Sequence, residues 1–478
     1  MSGTQIDSFN VEEVPTPYTQ RPRVSEYVGA PVEVEKSHRP AVQTNTEAIF
    51  NMLNAALGVS LLAIAGVCLK IGLVPAMLLY GVSCFLNRYT LHLVYRSCQI
   101  AKVKVSYPDV ARACFGTSGF GVCAIIMTSQ MCITSTAYVV TVAEVLQNAF
   151  GWERPEGATL LGMLLLIPFT LIRSLKRIAV LSTVATVACL IEMVAIAGPC
   201  YWDYFTGNTL VERKGVNLGE PENMVYFDLT FPKLIQVTPI ILLAYATQSS
   251  APIILASLEN DSWENVRKIT GFVYVVLYAI SVVFGHSVYM RFTNFCTDNA
   301  LTTIGQRPID QVAIWCGFLL VFISYIFMQF PIRNVLMSAC LGKDEIEREA
   351  PYSTFVAVTM SLNCTLLLCA MAAIKLGGLT LVLRFGGGFC ATLMAMVFPP
   401  LLFVRVRATR GWNTRVVCGS RGGLAIILAI GTSCWMLSNY SLTTDVLTQM
   451  GILSPPADDT TNTTAEILEA FGSVVSIL

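Results

Sequence analysis

Residues 47–70 read EAIFNMLNAALGVSLLAIAGVCLK, an apolar run long enough to cross a bilayer. About 20 residues rising roughly 1.5 Å each traverse a hydrocarbon core of roughly 30 Å. A helix serving only as an anchor would fill its middle with Leu, Ile or Val. Here the middle is Ala56-Leu57-Gly58-Val59-Ser60, with Asn51 and Asn54 in the turns before it. Glycine frees the backbone from the restriction a Cβ imposes, and a serine hydroxyl can satisfy a freed peptide group. Hydrocarbon tolerates an opened backbone only where protein buries it or where it lines a cavity. The run therefore reads in one of two ways. Either it is a discontinuous helix, ending at about Leu57 and resuming at about Ser60, or Gly58 merely lets another helix pack closely.

Composition narrows the class. The 478 residues are 54% hydrophobic and only 13% charged, against about 25% charge in soluble domains. This is a polytopic membrane protein embedded in a lipid bilayer. The 31 basic and 31 acidic residues leave no basic excess for nucleic acid. Eleven apolar segments can be counted, at roughly 47–70, 72–97, 117–149, 158–173, 178–199, 231–257, 267–291, 309–338, 353–374, 379–405 and 421–440. With the N-terminus cytoplasmic, the inner loops hold most of the Lys and Arg, among them Arg96, Lys102, Arg112, Arg267, Lys268, Arg405 and Arg407, as the positive-inside rule requires. An odd number of spans then puts the C-terminus outside.

Three regions follow. Residues 1–44 are polar and punctuated by Pro and Gly, a disordered cytoplasmic tail. Residues 45–440 form the transmembrane domain, and residues 441–478 an extracellular or lumenal tail. Asn439 and Asn462 head N-x-S/T acceptors for glycosylation on that outer side. The sixteen cysteines lack paired C-x-x-C spacing, and the histidines are His38, His92 and His286, so no structural zinc site is expected.

The sixth segment repeats the peculiarity of the first. Residues 231–260 read FPKLIQVTPIILLAYATQSSAPIILASLEN, with a polar knot at Thr247-Gln248-Ser249-Ser250 followed by Pro252. Proline lacks a donor and suits the first turn of a new helix. One helix should end at about Tyr245 and another start at about Ala251. Interruptions in the first and sixth spans form the pattern of inverted five-helix repeats, whose discontinuous helices meet at the midplane. That pattern favours a functional break at Gly58.

At this point the chain resembles the amino acid/auxin permease family. Phe50-Asn51-Met52-Leu53-Asn54 through Gly58 and Ser60 is similar to that family's F-N-x-x-N-x-x-x-G-x-G, with Ser60 in place of the last glycine. Ser106-Tyr107-Pro108-Asp109 with Phe115-Gly116 is similar to its S-Y-x-D…F-G inner loop. Tyr138 through Glu144 resembles a helix 3 motif, and Arg173-Ser174-Leu175-Lys176 the junction between helices 4 and 5. Phe330-Pro331-Ile332-Arg333 matches an F-P-x-R, and Phe398-Pro399-Pro400 is similar to an F-x-x-P. The resemblance covers about residues 45–440. It implies an all-α fold of eleven transmembrane helices: a leucine-transporter-type 5+5 inverted repeat, with helices 1 and 6 discontinuous, plus an eleventh helix. It implies secondary active transport of amino acids by alternating access, with no cofactor beyond sodium or a proton as coupling ion.

In such a fold the half-helices after each break point their N-termini at the midplane, where free N–H groups and the positive dipole end favour a carboxylate. The substrate-binding positions are then Gly58, Val59 and Ser60 for the carboxylate, and Leu57, Tyr245 and Thr247 for the α-ammonium. Tyr138 either closes the pocket or packs in the core. Sodium-coupled relatives carry a hydroxyl at the position of Ser324 and an asparagine at that of Asn54, oxygen ligands suited to a hard cation. Without an ion, Asn54 bridges helices and Ser324 bonds its own helix. Glu192 stands inside the fifth span, where charge is expensive. It either carries a proton, faces a cationic substrate or pairs with a basic residue. Relatives also join the outer loops that hold Cys200 and Cys296 by a disulfide.

No Ser/His/Asp or metal constellation suggests an enzyme, and no repeated pore loop suggests a channel. The alternative is an amino-acid sensor of transporter shape, whose N-terminal tail engages a cytoplasmic partner. The membrane is the plasma membrane or an organellar one of vacuolar or lysosomal type.

Overall fold

The structure, a computed structural model, describes residues 43–103, 106–172, 175–206, 223–304, 308–341, 351–410, 421–450 and 452. Helices dominate these residues. In chain order they are α1 (Asn45–Ala56), α2 (Val59–Leu62), α3 (Ile64–Ile71), α4 (Leu73–Ala101), α5 (Tyr107–Phe150), α6 (Pro155–Thr170), α7 (Leu175–Thr206) and α8 (Phe231–Tyr245). They continue with α9 (Ala251–Ala256), α10 (Trp263–Phe292), α11 (Ala300–Thr303), α12 (Pro308–Leu341), α13 (Tyr352–Leu376), α14 (Gly378–Phe385), α15 (Phe398–Arg410) and α16 (Arg421–Gln449). Between α14 and α15 the chain winds as π-helix over Gly386–Ala391 and Leu393–Val397.

Local chemistry sets several ends. Thr44 and Glu47 form a capping box at α1, each side chain bonding the other's backbone N–H at 3.3 and 2.9 Å. The Ser106-Tyr107-Pro108-Asp109 motif is a helix start. Ser106 Oγ accepts from the Asp109 amide at 3.3 Å and donates to its carboxylate at 2.7 Å, and Pro108 fits the first turn. Gly116 then bends α5 at φ 69° and ψ −156°, a conformation strained for any L side chain. The third apolar segment thus belongs to a helix that begins at Tyr107, ten residues before its apolar run.

Among the described residues seven helices are long and apolar enough to cross a membrane, or eight when the bent pair Asn45–Ala56 and Ser60–Ile71 counts as one. Helices α6 and α8 are apolar but shorter. Helix α4 is 29 residues long and carries Arg88, His92 and Arg96. Phe85, Ile125, Val194, Val275 and Leu368 are each more than half exposed, as side chains facing lipid rather than water can be. The chain is an all-helical polytopic membrane protein. At its C-terminal end α16 runs on to Gln449, so residues 441–449 continue the last helix rather than starting a tail.

The tightest packing lies at the triple glycine of the π-helical stretch. A Cβ on Gly387 would run into the Pro239 carbonyl oxygen of α8, one on Gly386 would sit 2.9 Å from Ile133 of α5, and one on Gly388 3.1 Å from Ser438 of α16. Three helices close on backbone that offers no side chain. Gly387→Ala should therefore cost about 1–3 kcal/mol or more by overpacking, because backbone cannot step aside as a side chain can. Gly121→Ala, where a Cβ meets nothing within 4 Å, should be neutral or stabilising. Thermal unfolding in detergent compares the two; equal midpoints would contradict this packing.

Candidate functional site

Both expected breaks are present. Helix α1 stops at Ala56, Leu57 (φ −74°, ψ 97°) and Gly58 (φ −146°, ψ −159°) run extended, and α2 starts at Val59. The two halves of this span are bent by 60°. In the second break α8 stops at Tyr245, Ala246 leaves helical geometry (φ −77°, ψ 81°), and α9 starts at Ala251 after the Thr247–Ser250 turn. A helix leaves its first N–H and last C=O groups without intrahelical partners. Each break exposes both kinds within a few residues.

Tyr138 of α5 stands on the first break. A Cβ on Gly58 would lie 2.5 Å from its hydroxyl oxygen, so only glycine lets the ring approach this backbone. The Tyr138 ring is buried, and its hydroxyl neighbours Ser324 of α12. Tyr138 thus links the helix 1 break to the expected ion position on another helix. Leu57 and Ser60 are buried beside it in sequence, and the backbone of Val59 opens α2. Asn54 is buried with Oδ1 lacking a hydrogen bond, and Ser324 Oγ also lacks one of good geometry. Two buried oxygens are thereby left with unused lone pairs.

The second break behaves differently. The Tyr245 carbonyl accepts from the Thr247 amide at 3.0 Å and from the Tyr274 hydroxyl at 3.3 Å. The Thr247 carbonyl accepts from the amides of Ser250 and Ala251 at 3.1 and 2.8 Å, and its hydroxyl meets Tyr274 at 2.8 Å. The Tyr245 ring reaches toward Cys84 of α4 and Ser281 of α10. The polar groups expected to be free at Tyr245 and Thr247 are therefore engaged in holding the turn. The sequence reading missed Gln248, buried in that turn. Its Nε2 donates to the Asn87 carbonyl at 3.3 Å, to Asn87 Oδ1 at 3.0 Å and to Thr90 Oγ1 at 3.2 Å. A partial signal was there in α4, whose apolar run carries the polar Asn87 and Thr90 on either side of Arg88.

Glu192, in the middle of α7, is 1% exposed, and neither carboxylate oxygen has a hydrogen-bond partner. A Cβ on Gly317 of α12 would stand 2.6 Å from its Oε1. Of the three readings of Glu192, a basic partner is not found among the described residues.

The two ends of the bundle are fastened by different chemistry. At the end holding Asn45, the Gln43 amide donates to the Ser257 carbonyl at 2.7 Å and its carbonyl accepts from the Glu259 amide at 3.0 Å. Asn45 and Asn265 exchange hydrogen bonds at 3.1 and 2.8 Å. At the opposite end Lys70 pairs with Asp298 at 2.9 Å. There Glu144 accepts from Asn299 at 2.9 Å and from the Leu379 amide at 3.3 Å, and Arg291 faces Asp310 at 3.5 Å with both side chains buried.

Cys200 and Cys296 are both buried and near enough to interact electrostatically, the Cys296 thiol directed at the Thr297 carbonyl 3.7 Å away. One expectation needs correction. Asn439 lies within α16, and its amide nitrogen donates to the carbonyls of Gly388 at 3.2 Å and Trp435 at 2.6 Å. A glycan cannot be attached to a nitrogen held in a helix–helix contact. Asn462 lies outside the described residues.

Comparison with known proteins points one way. A family model described as "Transmembrane amino acid transporter protein" matches residues 41–444. The chain is 21% identical to amino acid transporter AVT1B of Arabidopsis thaliana, over 84% of this chain and 71% of that one. It is 20% identical to the protein named "Putative sodium-coupled neutral amino acid transporter 11" in Bos taurus, over 78% of each. Among solved structures, Mhp1, a nucleobase-cation-symport-1 family transporter in a closed conformation, matches with a TM-score of 0.52 at 14% identity, covering 87% of this chain and 93% of that one. The last is a likeness of fold.

Replacing Gln248 with Leu keeps the volume and removes both N–H donors of Nε2, leaving the Asn87 and Thr90 acceptors buried. An unsatisfied buried group costs about 1–3 kcal/mol. Gln248→Leu should lower the thermal midpoint in detergent well below that of the parent. An unchanged midpoint would mean that these bonds do not hold the turn.

Proposed function

Because the chain belongs to the transmembrane amino acid transporter family, we propose that it carries amino acids across a membrane by alternating access, driven by a coupled ion. That family is one of transporters, not enzymes. The observation that carries the reading is the break at Leu57–Gly58, with the Tyr138 hydroxyl laid against a glycine that admits no side chain. The substrate carboxylate sits against the backbone N–H groups of Gly58, Val59 and Ser60, with the Ser60 hydroxyl as a further donor. The carbonyls at the end of α1, Leu57 foremost, take the α-ammonium. Tyr138 closes the pocket, and the α8–α9 turn supplies a wall rather than free carbonyls.

The buried oxygens of Asn54 and Ser324, each with a lone pair to offer, suit a hard cation such as sodium, and a relative is named for sodium coupling. Adding α4, α6 and the α8–α9 pair to the eight membrane-crossing candidates gives eleven spans, arranged as five plus five with one more. The N-terminus faces the cytoplasm and the C-terminus the outside, in a plasma membrane or a vacuole-like membrane.

Gly58→Val tests the site directly. A branched side chain there meets the Tyr138 hydroxyl, so uptake of labelled amino acids per correctly folded molecule should fall to background. Ser60→Gly should remain active and Ser60→Leu should fail. Substantial normalised uptake by Gly58→Val would mean that the first break is not the binding element.

Asn54→Ala and Ser324→Ala should weaken the response to sodium more than the apparent affinity for amino acid at saturating sodium. If uptake by both variants follows sodium as the parent does, the cation lies elsewhere.

A further inference from the structure

Glu192 is a carboxyl group placed where a membrane protein can least support a charge. Helix α7 packs against α12, α10 and α1. Gly317 of α12 lies against Oε1, with the Leu301 methyl of α11 beside it. The titratable groups within electrostatic reach are Cys189 on its own helix and Cys316 on α12. No charged side chain from α1, α10, α11 or α12 acts on it among the described residues. Arg291, the buried base at the end of α10, faces Asp310 instead.

An ionised carboxylate without a cation or hydrogen-bond donor would forfeit several kcal/mol of hydration in such a place. Binding a proton removes most of that cost. A purely structural role would be met better by Leu or Gln at this position, since the carboxyl makes no bond that stabilises the helix pair. Gly317 matters to the same argument. Any Cβ there would displace the carboxyl, so the α7–α12 interface leaves room for Glu192 and little else.

We infer that Glu192 is a proton-binding site of the transport cycle. Its carboxyl is protonated while α7 and α12 are packed as they are here. It ionises when that interface admits water, releasing its proton to the side then open. Taking a proton from one side and releasing it to the other moves one positive charge per cycle. A pH gradient thereby drives the amino acid. This rests on the transport reading above and adds a second coupling site, distinct from the oxygens of Asn54 and Ser324.

The test uses the full chain reconstituted in liposomes, with two readouts. Infrared spectroscopy should show the carbonyl stretch of a buried protonated carboxyl that is lost in Glu192→Gln. The band should shift in Gly317→Ala, where Glu192 is kept but crowded. In flux, a tritiated mixture of the twenty L-amino acids should accumulate under an imposed pH gradient in the parent. Glu192→Gln should lose that accumulation relative to counterflow measured on the same vesicles. An identical carboxyl band in parent and Glu192→Gln would overturn the inference. So would undiminished pH-driven accumulation by that variant. If the parent shows the Glu192 band but no counterflow of any amino acid, the transport reading fails while the protonated carboxyl stands.

Discussion

A peptide group in hydrocarbon must find a partner inside the protein, and this constraint governs the rest of the molecule. An unpaired one costs about 2–7 kcal/mol, and a membrane offers no water to make up the loss. The chain breaks its backbone ladder twice all the same. The second break is closed by its own neighbours: Tyr274 and the Ser250 and Ala251 amides take up the carbonyls of Tyr245 and Thr247, and Gln248 ties the turn to α4. The first is extended through Leu57 and Gly58, with the Tyr138 hydroxyl laid against the glycine. Of the two, the first has the more to offer a ligand.

The asymmetry extends to the bundle's ends. Around Asn45, backbone pairing and an amide exchange join the start of α1 to the segment after α9. Around Lys70 the fastening is ionic, and its members differ in worth. Lys70–Asp298 is partly exposed, and such pairs contribute about 0–1 kcal/mol. Arg291–Asp310 is buried, where losing one partner costs about 3–5 kcal/mol. Helices flanking the breaks are thus held at both ends by contacts of quite different strength, with the weakest at exposed positions that can open first.

Much of this was legible beforehand because the signals are local. Gly58 between apolar runs, and a polar knot before Pro252, mark chain breaks by backbone chemistry alone, and the helix ends at Ala56, Tyr245 and Ala251 fall within a residue or so of where those signals put them. The buried position of Glu192 also followed from its apolar neighbours. What was not legible depends on rotation and on distant partners. Tyr245 and Thr247 face α4 and α10 because of how α8 turns about its axis, which no short motif encodes. Asn439 reads as a glycan acceptor by its triplet, yet α16 carries it into contact with Gly388. The Gln248 anchor joins residues 161 positions apart, and the Gly387 contact joins a glycine to a carbonyl on another helix.

On the proposed mechanism the opened backbone of the first span receives the carboxylate. An electron-microscopy map of the chain in lipid, with the most readily taken-up amino acid bound, should show ligand density whose carboxylate meets the amides of Gly58–Ser60, under the Tyr138 ring. Ligand density elsewhere, with Tyr138 still packed on an unoccupied Gly58, would contradict it.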